Sequence, residues 1–365
     1  MNPKYSIIFA YRNRDSERVR MSLKSLSNQS NQDFEVVFVD YGSNDAYADK
    51  IKSAVEEFDF ASYHYVAHTG LLWNKSKALN YGIKNANSEF VVLADVDVLF
   101  APNFITSLNA LRDVNSFNLF KISYLDKSVE LKDIDTEPLN QLKVSHVGDT
   151  FGIGLFPKVA LEKVKGLDTF FHFYGSEDED LNSRLEAAGY SQKRCTEQLL
   201  WHQWHTTYSS EKETLTVSPR LTNIKRINQR HFLWHKEEHA TEPRNAQNWH
   251  KVFTKADLVT LNHPDETIIL LNIEAHVVHI LRVVLPSYSN QVVNVEFQQD
   301  EYYKSLKYKL KNTLNKETQR YISLKEVNDL VLKEIIFKYK DFNYKYEVAD
   351  DLETISFTID LNSKP

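Results

Sequence analysis

The sequence predicts an α/β fold in which a mixed, mostly parallel sheet is covered by helices on both faces, followed by a smaller C-terminal α+β module. Short apolar segments alternate with segments of helical periodicity at the N-terminal end of the chain. The most apolar of these segments, 91–100, has no polar alternation apart from Asp95 and Asp97. Strands buried on both faces have this composition because helices cover both faces of a parallel sheet.

Strands and helices are predicted to alternate from the N-terminus onwards. The predicted strands cover 5–11, 34–39, 63–66 and 91–100, and the helices between them cover 15–27, 46–58 and 74–86. The helix over 15–27, for example, has Val19, Leu23 and Leu26 at helical spacing. Ligands bind outside the carboxyl ends of the strands in such sheets. These ends carry a set of charged residues: Arg12, Arg14, Asp40, Asp95 and Asp97.

The alternation becomes weaker after residue 100. We expect a helix over 104–114, a strand over 120–126, a polar loop over 133–143, flexible backbone over 148–154 and a helix over 157–164. Leu181, Leu185 and Ala188 indicate a further helix. Ser176 is the expected N-cap of the last helix, with Glu179 completing a capping box, and Gly189 is a suitable C-cap residue. The chain from 206 to about 249 is expected to be helical. The predicted domains are 1–250 and a C-terminal module, 256–365.

Composition excludes several classes of protein. The formal net charge of -6 argues against a general nucleic-acid binder. The single cysteine, Cys195, excludes an intrachain disulfide and a cysteine-based zinc site, and it suits a reducing compartment. Residues 1–5 lead directly into a strand without the pattern of a signal peptide. The apolar stretch 267–286 carries charged and histidine residues, so it is a poor membrane span. We therefore expect a cytoplasmic protein.

Asp95 and Asp97 are two residues apart on the predicted strand 91–100, so both carboxylates would share one face. Buried carboxylates are costly unless they are paired, hydrogen-bonded or bound to a cation. A divalent ion that also binds substrate phosphates would be a suitable partner. The alternative is that one aspartate caps the next loop while the other is solvated.

Two further clusters are candidates for chemistry. Residues 177–180 place four carboxylates at a predicted helix N-terminus, where the helix dipole favours negative charge. The alternative to that structural role is a general base that deprotonates an acceptor hydroxyl. His202 and His205 are three residues apart and could bind one ion, for which mixed oxygen and imidazole ligands favour Mn²⁺ over Mg²⁺. They could equally be histidines of the core.

Five segments, taken in order, resemble the beta-1,4-galactosyltransferase family. They are Tyr11-Arg12-Asn13-Arg14, Trp73 to Asn80, Asp95-Val96-Asp97, Gly175 to Asp180 and Trp201 to His205. They are also similar to the bacterial family 2 glycosyltransferases, including the chondroitin-polymerase type. The resemblance covers about residues 5–207. It implies a GT-A-type (Rossmann-like) fold, a UDP-sugar donor, a divalent metal, commonly Mn²⁺ (or Mg²⁺), and inversion at the anomeric carbon.

The resemblance also implies a role for individual residues. It makes Asp97 and His205 metal ligands, with His202 as a further ligand. It makes Asp178 the catalytic base. The residues implied in acceptor binding are Glu177 and Glu179, and those implied in binding the nucleotide sugar are Tyr11, Arg12, Arg14, Asp40, Lys75, Asp95, Val96 and Thr150.

The sequence departs from the family pattern at two places. Tyr174-Gly175-Ser176 replaces the family's Trp-Gly-Gly, which leaves the acceptor open. Thr150 stands where the galactosyltransferases carry a bulkier tyrosine against the sugar. A smaller side chain would leave room for a 2-acetamido group, so UDP-GalNAc and UDP-GlcNAc are as plausible as UDP-Gal.

The expected function is therefore transfer of a hexose or N-acetylhexosamine from a UDP-sugar to a glycan or glycolipid acceptor at the cytoplasmic side of a bacterial membrane. The C-terminal module could contact acceptor, membrane or a partner protein. One rival function is a sugar-nucleotide pyrophosphorylase, but 9–14 lacks the glycine-rich loop expected of one. A second is a retaining transferase, in which Asp178 would not act as base. A third is a degenerate sugar-binding or scaffold module.

Overall fold

The computed structural model describes residues 3–206, 220–244, 246–314, 316 and 319–362. The chain divides into two compact units. The first comprises 1–67, 73–210 and 225–252, and the second comprises 68–72, 211–224 and 253–365. Among the described residues, no helix is both long and apolar enough to cross a membrane.

The first unit contains nine strands and eight helices in its described part. The strands are β1 Tyr5–Tyr11, β2 Phe34–Asp40, β3 Ala61–Tyr65, β4 Phe90–Ala94, β5 Val98–Phe100, β6 Ser116–Leu125, β7 Val144–Pro157, β8 Ser191–Cys195 and β9 Leu200–His202. The helices are α1 Ser16–Ser27, α2 Asp45–Val55, α3 Lys75–Asn85, α4 Phe104–Leu111, α5 Leu131–Thr136, α6 Lys158–Lys163, α7 Glu177–Ala187 and α8 Ile224–Glu237.

These nine strands form one mixed sheet in the order β3-β2-β1-β4-β7-β6-β9-β5, with β8 also paired to β6. Strands β3, β2, β1 and β4 are parallel, whereas β7 is antiparallel to both β4 and β6. The register pairs Tyr11 with Asp40 and Phe9 with Ala94. The carboxyl ends of β1, β2 and β4 therefore lie side by side, as the α/β prediction requires.

The core of this unit forms because the predicted apolar positions face inwards. All residues of β1 and β4 are buried, and α1 buries Val19, Leu23 and Leu26 against the sheet. Asp15 begins α1 by accepting a hydrogen bond from the Glu17 amide, which satisfies one of the free N–H groups of the first turn.

Several predicted segments differ from the structure. The predicted strand 91–100 is two strands, β4 and β5, separated by a turn. Residues 148–154, expected to be flexible, lie within β7, and the expected loop 133–143 includes α5 and a 3₁₀ turn. Of the helical chain expected over 206–249, α8 covers 224–237, while 207–219 and 245 lie outside the described residues.

The second unit contains a four-stranded sheet in the order β10-β11-β13-β12, in which β10 and β11 are parallel and the other pairs antiparallel. Its strands are β10 Glu266–Leu271, β11 Val292–Gln298, β12 Asn343–Val348 and β13 Thr354–Asp360. Its helices are α9 Lys255–Leu261, α10 Glu274–His279, α11 Leu285–Ser287, α12 Glu301–Lys304, α13 Leu306–Thr313 and α14 Leu324–Glu334. Two π-helical segments, 280–284 and 335–339, extend α10 and α14.

Candidate active site

Asp95, Val96 and Asp97 form the turn between β4 and β5, where the Val98 amide donates to the Asp95 carbonyl at 3.3 Å. The prediction that both aspartates lie on one strand and share a face was wrong. The reason is that β5 leaves the line of β4 and pairs with β9 instead. The turn places the two carboxylates just beyond the carboxyl end of β4, and Val96 is buried beneath them.

Asp97, His202 and His205 lie together at this turn. Their ligand atoms are all within 4.8 Å of one another. The Nε2 atoms of His202 and His205 are 3.4 and 3.0 Å from the two carboxylate oxygens of Asp97. The pairing of β5 with β9 sets Val98 opposite His202, and the Gln203 amide donates to the Asp97 carbonyl. Backbone pairing thus assembles the three side chains.

The tautomer of His205 suits metal binding. Its Nδ1 atom is 2.7 Å from the Thr206 carbonyl oxygen, so Nδ1 carries a proton that it donates, and Nε2 is the nitrogen that faces Asp97 and would bind a metal ion in place of its proton. Metal-bound histidines commonly hold their second nitrogen in this way. One carboxylate and two imidazoles form a donor set that divalent transition metals such as Mn²⁺ and Zn²⁺ accept.

The two histidines compensate the negative charge of the Asp97 carboxylate. Burial by itself raises the pKa of Asp97, but the hydrogen bond from His205 and the charges of both imidazoles outweigh it and lower the pKa to about 2. The same hydrogen bond raises the pKa of His205. A bound divalent cation would take the place of the imidazole protons, because ligand histidines must be neutral.

Lys75 connects this turn to the start of α7. Its Nζ atom is 2.6 Å from Asp95 Oδ1 and 3.9 Å from Glu177 Oε1. Asn74 caps α3 by accepting from the Lys77 amide and so fixes the backbone from which Lys75 projects. Although burial alone would lower the pKa of Lys75, the negative charges of Asp95 and Glu177 outweigh it and raise this pKa, so the side chain is a cation.

The chain reaches α7 through an irregular loop in which Phe173, Gly175 and Ser176 all have positive φ, from 62° to 102°. Ser176 does not form the predicted capping box, because at φ 69° its hydroxyl contacts the Glu179 carboxylate instead of a backbone amide. The Asn228 amide group donates to the carbonyl oxygens of His172 and Tyr174. These hydrogen bonds stabilise the loop that presents Glu177 and Asp178.

Asp178 lines a small pocket together with Lys75, Gly152 and Glu177. Gly152 of β7 leaves space for its carboxylate, since a Cβ atom there would be 3.2 Å from Asp178 Oδ2. Burial raises the pKa of Asp178 against the opposing charge of Lys75. Burial and the charge of Asp178 raise the pKa of Glu177 to about 7. A carboxylate with a raised pKa is a stronger base.

The next two carboxylates have different surroundings. Glu179 is exposed and accepts from the Ser176 hydroxyl. Asp180 is fully buried and accepts from Arg184 and His235, at 2.7 Å in each case. Asp180 therefore has a structural role, whereas Glu177 and Asp178 open on the pocket.

The predicted nucleotide residues lie at the carboxyl ends of β1 and β2. Asp40 is buried and accepts from the Ser43 amide and the Tyr63 hydroxyl, and burial raises its pKa. Tyr11 is also buried, and its hydroxyl donates to the Arg14 carbonyl at 2.7 Å. Arg12 is partly buried and Arg14 is exposed. The structure thus brings these four side chains to one edge of the sheet.

Thr150 lies in β7 with its side chain directed into the sheet. Its hydroxyl donates to the carbonyl oxygens of Phe120 and Ile153, at 2.8 and 3.1 Å. The residue that follows, Phe151, is 46% exposed and its ring contacts the Arg194 guanidinium. Phe151 is therefore the side chain of this pair that faces the pocket.

Sequence reasoning missed several residues of this site. Tyr124 packs its ring against His202 and has its pKa raised by burial and by the charges of Asp95 and Asp97. Gly152 and Phe151 line the pocket, and Asn228 supports the loop before α7. No local motif marks these positions, because each reaches the site through the pairing of distant strands and helices.

Comparison with protein families identifies the chain. Residues 6–123 match the family model described as glycosyl transferase family 2, and residues 139–207 match the model described as the N-terminal domain of galactosyltransferase. The two matches together cover about half of the chain. The chain thus consists over 6–123 of a family 2 glycosyltransferase segment and over 139–207 of a galactosyltransferase segment. It is a glycosyltransferase, and both matched segments contribute residues to the site above.

Several solved structures resemble this glycosyltransferase. S. aureus TarS 1-349 is 17% identical with a TM-score of 0.42, covering 55% of this chain and 60% of that one. The same protein in complex with UDP-GlcNAc is 18% identical with a TM-score of 0.40, covering 57% of this chain and 61% of that one. Mannosyltransferase PcManGT from Pyrobaculum calidifontis, in complex with GDP-Man and Mn²⁺, is 18% identical with a TM-score of 0.40. The match covers 56% of this chain and 57% of that one. In each case the match covers less than two thirds of the other chain. No curated protein sequence matches this glycosyltransferase.

Proposed function

We propose that this glycosyltransferase is metal-dependent and inverting, and that it moves a hexose or N-acetylhexosamine from a UDP-sugar to a hydroxyl of a glycan acceptor. The observation that carries the proposal is the position of Lys75. Its Nζ atom lies 2.6 Å from Asp95, in the turn that carries Asp97, and 3.9 Å from Glu177, next to Asp178. A candidate metal cluster and a candidate base thus lie on the two sides of one cation.

The residues proposed to hold the divalent metal are Asp97, His202 and His205. A bound Mn²⁺ or Mg²⁺ would offset the charge that develops on the departing diphosphate. The contacts of Asp97 with both imidazoles support this assignment, as does the His205 tautomer. Lys75 is proposed to add a second positive charge on the diphosphate, because charge stabilisation is strongest in a partly buried site.

Asp178 is proposed as the base. It would accept the proton of the acceptor hydroxyl as that oxygen bonds to the anomeric carbon and the bond from this carbon to the UDP phosphate oxygen breaks. Attack from the face opposite the leaving group inverts the anomeric centre. The raised pKa of Asp178 and the space left by Gly152 support this role. Glu177 and Glu179 are proposed to contact the acceptor.

Tyr11, Arg12, Arg14 and Asp40 are proposed to hold the nucleotide. The support is their shared position at the carboxyl ends of β1 and β2, where ligands of such sheets bind. Asp40 would act through the loop it fixes, since its oxygens already accept from Ser43 and Tyr63.

The sugar of the donor stays open between a hexose and an N-acetylhexosamine. Asp95 and Val96 are proposed to line the sugar and phosphate region, with Thr150 supporting it from within β7. Because the Thr150 hydroxyl is held by backbone carbonyls and Phe151 faces the pocket, room for a 2-acetamido group is proposed from the family resemblance alone. The acceptor is proposed to be a surface polysaccharide or a lipid-linked oligosaccharide on the cytoplasmic side of a bacterial membrane.

Thermal stability with UDP, Mn²⁺ and both together tests the site first. Because a ligand that binds only the folded state stabilises it, we expect UDP to raise the Tm only when Mn²⁺ is present. Asp97→Ala should lose this shift, and Asp49→Ala, on an exposed face of α2, should keep it. No shift in the unmodified protein would favour the degenerate module.

Incubation with UDP-Gal, UDP-GalNAc and UDP-GlcNAc and an oligosaccharide acceptor then tests transfer. An inverted anomeric configuration in the product, read by proton NMR, supports the proposal, and a retained one would reject the inverting mechanism. Pyrophosphate release from UTP and a sugar 1-phosphate would instead indicate the pyrophosphorylase.

A further inference from the structure

A second cluster of metal-ligating side chains lies apart from Asp97, in the same unit. Asp168, His231 and His235 place their ligand atoms within 4.8 Å of one another. His231 Nε2 is 2.8 Å and His235 Nε2 is 3.8 Å from Asp168 Oδ2. A tetrahedral ion about 2.0 Å from each ligand separates neighbouring ligand atoms by about 3.3 Å, which lies between these two distances.

The two histidines come from one face of α8. They are four residues apart, and residues at this spacing lie one turn above the other on a helix. Asp168 comes from the loop after α6, where its other oxygen accepts from the Phe170 amide. The Phe170 ring stacks on His231, so apolar side chains cover the cluster on that side.

The surroundings of His235 orient its ring as those of metal-bound histidines do. Its side chain is 3% exposed, and its Nδ1 atom is 2.7 Å from Asp180 Oδ1. The Arg184 guanidinium, 2.7 Å away, holds that carboxylate in place. Nε2 of His235 is buried without a hydrogen-bond partner and is directed towards Asp168. A carboxylate that holds the outer nitrogen of a metal-bound histidine fixes its tautomer.

The charge of the cluster also suits a cation. Asp168 and Asp180 are both buried carboxylates, and Arg184 is the cation that pairs with Asp180. Buried carboxylates are costly unless positive charge or hydrogen bonds compensate them. A metal ion on Asp168 would add positive charge to the hydrogen bonds that this carboxylate accepts.

We propose that Asp168, His231 and His235 bind a Zn²⁺ ion that ties α8 to the loop after α6. Two imidazoles and one carboxylate are a donor set that Zn²⁺ accepts, with a water molecule in the fourth position. The ion would hold in place a helix that also carries Asn228, which supports the loop before Asp178. None of its three ligands lines the pocket of Asp178.

Counting zinc in the full chain tests the proposal. The Asp97→Asn variant removes a ligand of the other cluster; after treatment with a chelator and reloading with Zn²⁺, it should hold one equivalent by elemental analysis. Adding His231→Gln or Asp168→Asn to this variant should remove that equivalent. Adding His263→Gln, an exposed histidine of the second unit, should leave it unchanged.

The melting temperature gives a second readout. Zn²⁺ should raise the Tm of Asp97→Asn, and the rise should disappear with His231→Gln. Zinc content and Tm are measured without sugar transfer, so the outcome of this test is separate from that of the proposed function. No zinc in Asp97→Asn, or equal zinc with and without His231→Gln, would overturn the site and assign the cluster to a proton-linked ion-pair network.

A stripe of exposed leucines lies along one helix of the second unit. Helix α13 and the residue after it expose Leu306, Leu310 and Leu314, at 77%, 63% and 64%. Four-residue spacing places them along one stripe, and Tyr308, on the opposite side of the helix, is buried. Exposed lysines, Lys307 and Lys309, lie on the two sides of this stripe.

We propose that this leucine stripe docks on an anionic lipid surface. An amphipathic helix with leucines on its outer face and lysines beside them inserts its apolar face into the headgroup region. The lysines complement anionic headgroups, although the whole chain has a net charge of -6. This surface would bring the enzyme to a lipid-linked acceptor and in that respect rests on the proposed function.

Co-sedimentation of the full chain with vesicles tests this surface. We expect binding to vesicles of about equal phosphatidylcholine and phosphatidylglycerol, and weak binding to phosphatidylcholine alone. Leu310→Ser should weaken binding about tenfold, because it removes one leucine that the lipid surface would bury. Val259→Ser, an exposed apolar residue of α9, should leave binding unchanged.

Salt should weaken vesicle binding, since screening reduces the attraction between lysines and headgroups. Vesicle binding that is unchanged in Leu310→Ser would overturn the proposal. So would self-association of the chain, seen by sedimentation, without vesicle binding. Neither readout involves sugar transfer, so failure here is distinguishable from failure of the proposed function.

Discussion

The Lys75 ammonium lies 2.6 Å from the Asp95 carboxylate and is thereby held at the turn that carries the candidate metal ligands. The same group is 3.9 Å from Glu177, at the start of the helix that carries the candidate base. Two helices and a turn thus meet at one cation. The Lys75 charge can therefore act both on the departing diphosphate and on the candidate base of the proposed reaction.

Replacing Lys75 by glutamine should lower kcat/KM about 10²- to 10³-fold, the usual cost of removing one charge-stabilising group. It should also shift the pH profile. The Lys75 charge lowers the pKa of Asp178, so its loss raises that pKa. The base works when deprotonated, and the acidic limb of kcat/KM should therefore move to higher pH.

Lys75→Arg is the matched control, since it keeps the charge. It should leave the acidic limb near its original position even where kcat falls. A limb that stays in place in Lys75→Gln would show that Asp178 is not the titrating base.

Asp178→Asn should reduce kcat about 10²- to 10⁴-fold, the range for loss of a general base. Stabilisation by UDP and Mn²⁺ should persist, because the candidate metal ligands are on other elements. Glu186→Gln, which changes an exposed carboxylate of the same helix α7, should have a far smaller effect on kcat. Comparable losses in both variants would count against a specific role for Asp178.

Gly152→Ala tests the space above Asp178. Its Cβ atom would lie 3.2 Å from Asp178 Oδ2, so the carboxylate must move by a few tenths of an ångström. We expect a lower kcat with little change in Tm. Val147→Ala, at an exposed position of the same strand, serves as the control. Unchanged kcat in Gly152→Ala would indicate that Asp178 tolerates the shift.

Removal of metal should abolish UDP-dependent stabilisation and transfer, and added Mn²⁺ should restore both. His205→Ala should raise the Mn²⁺ concentration needed for half-maximal activity, because it removes one of three proposed ligands. Full transferase activity in the presence of a chelator would show that the enzyme does not depend on a metal.

The presence of buried strands at 5–11, 34–39 and within 91–100 was predictable because these segments are mostly apolar, as strands covered on both faces are. The meeting of Asp97 with His202 and His205 was suggested by residue type and by family resemblance. The turn at Asp95 was not predictable, since an apolar run through 91–100 does not show where pairing changes from β1 to β9.

Tertiary contacts decide the remaining differences. The glycines of 148–154 suggested flexible backbone, yet pairing with β6 and β4 makes this segment a strand. Ser176 has the residue type of an N-cap, but the preceding loop forces it to φ 69°, where it cannot cap. The buried role of Asp180 depends on Arg184 and on His235, which lies 55 residues further along the chain.

Asp180→Asn should lower the free energy of unfolding by about 3 kcal/mol, because removing one charge of a buried ion pair leaves the other uncompensated. The remaining charge is that of Arg184, which is 1% exposed and 2.7 Å from Asp180. The folded fraction should keep its donor specificity, since Asp180 faces away from the pocket. Chemical denaturation measures the loss, with Glu179→Gln as the control that should change stability by less than about 0.5 kcal/mol. Equal stability of the two variants would mean that Arg184 finds another partner when Asp180 is neutral.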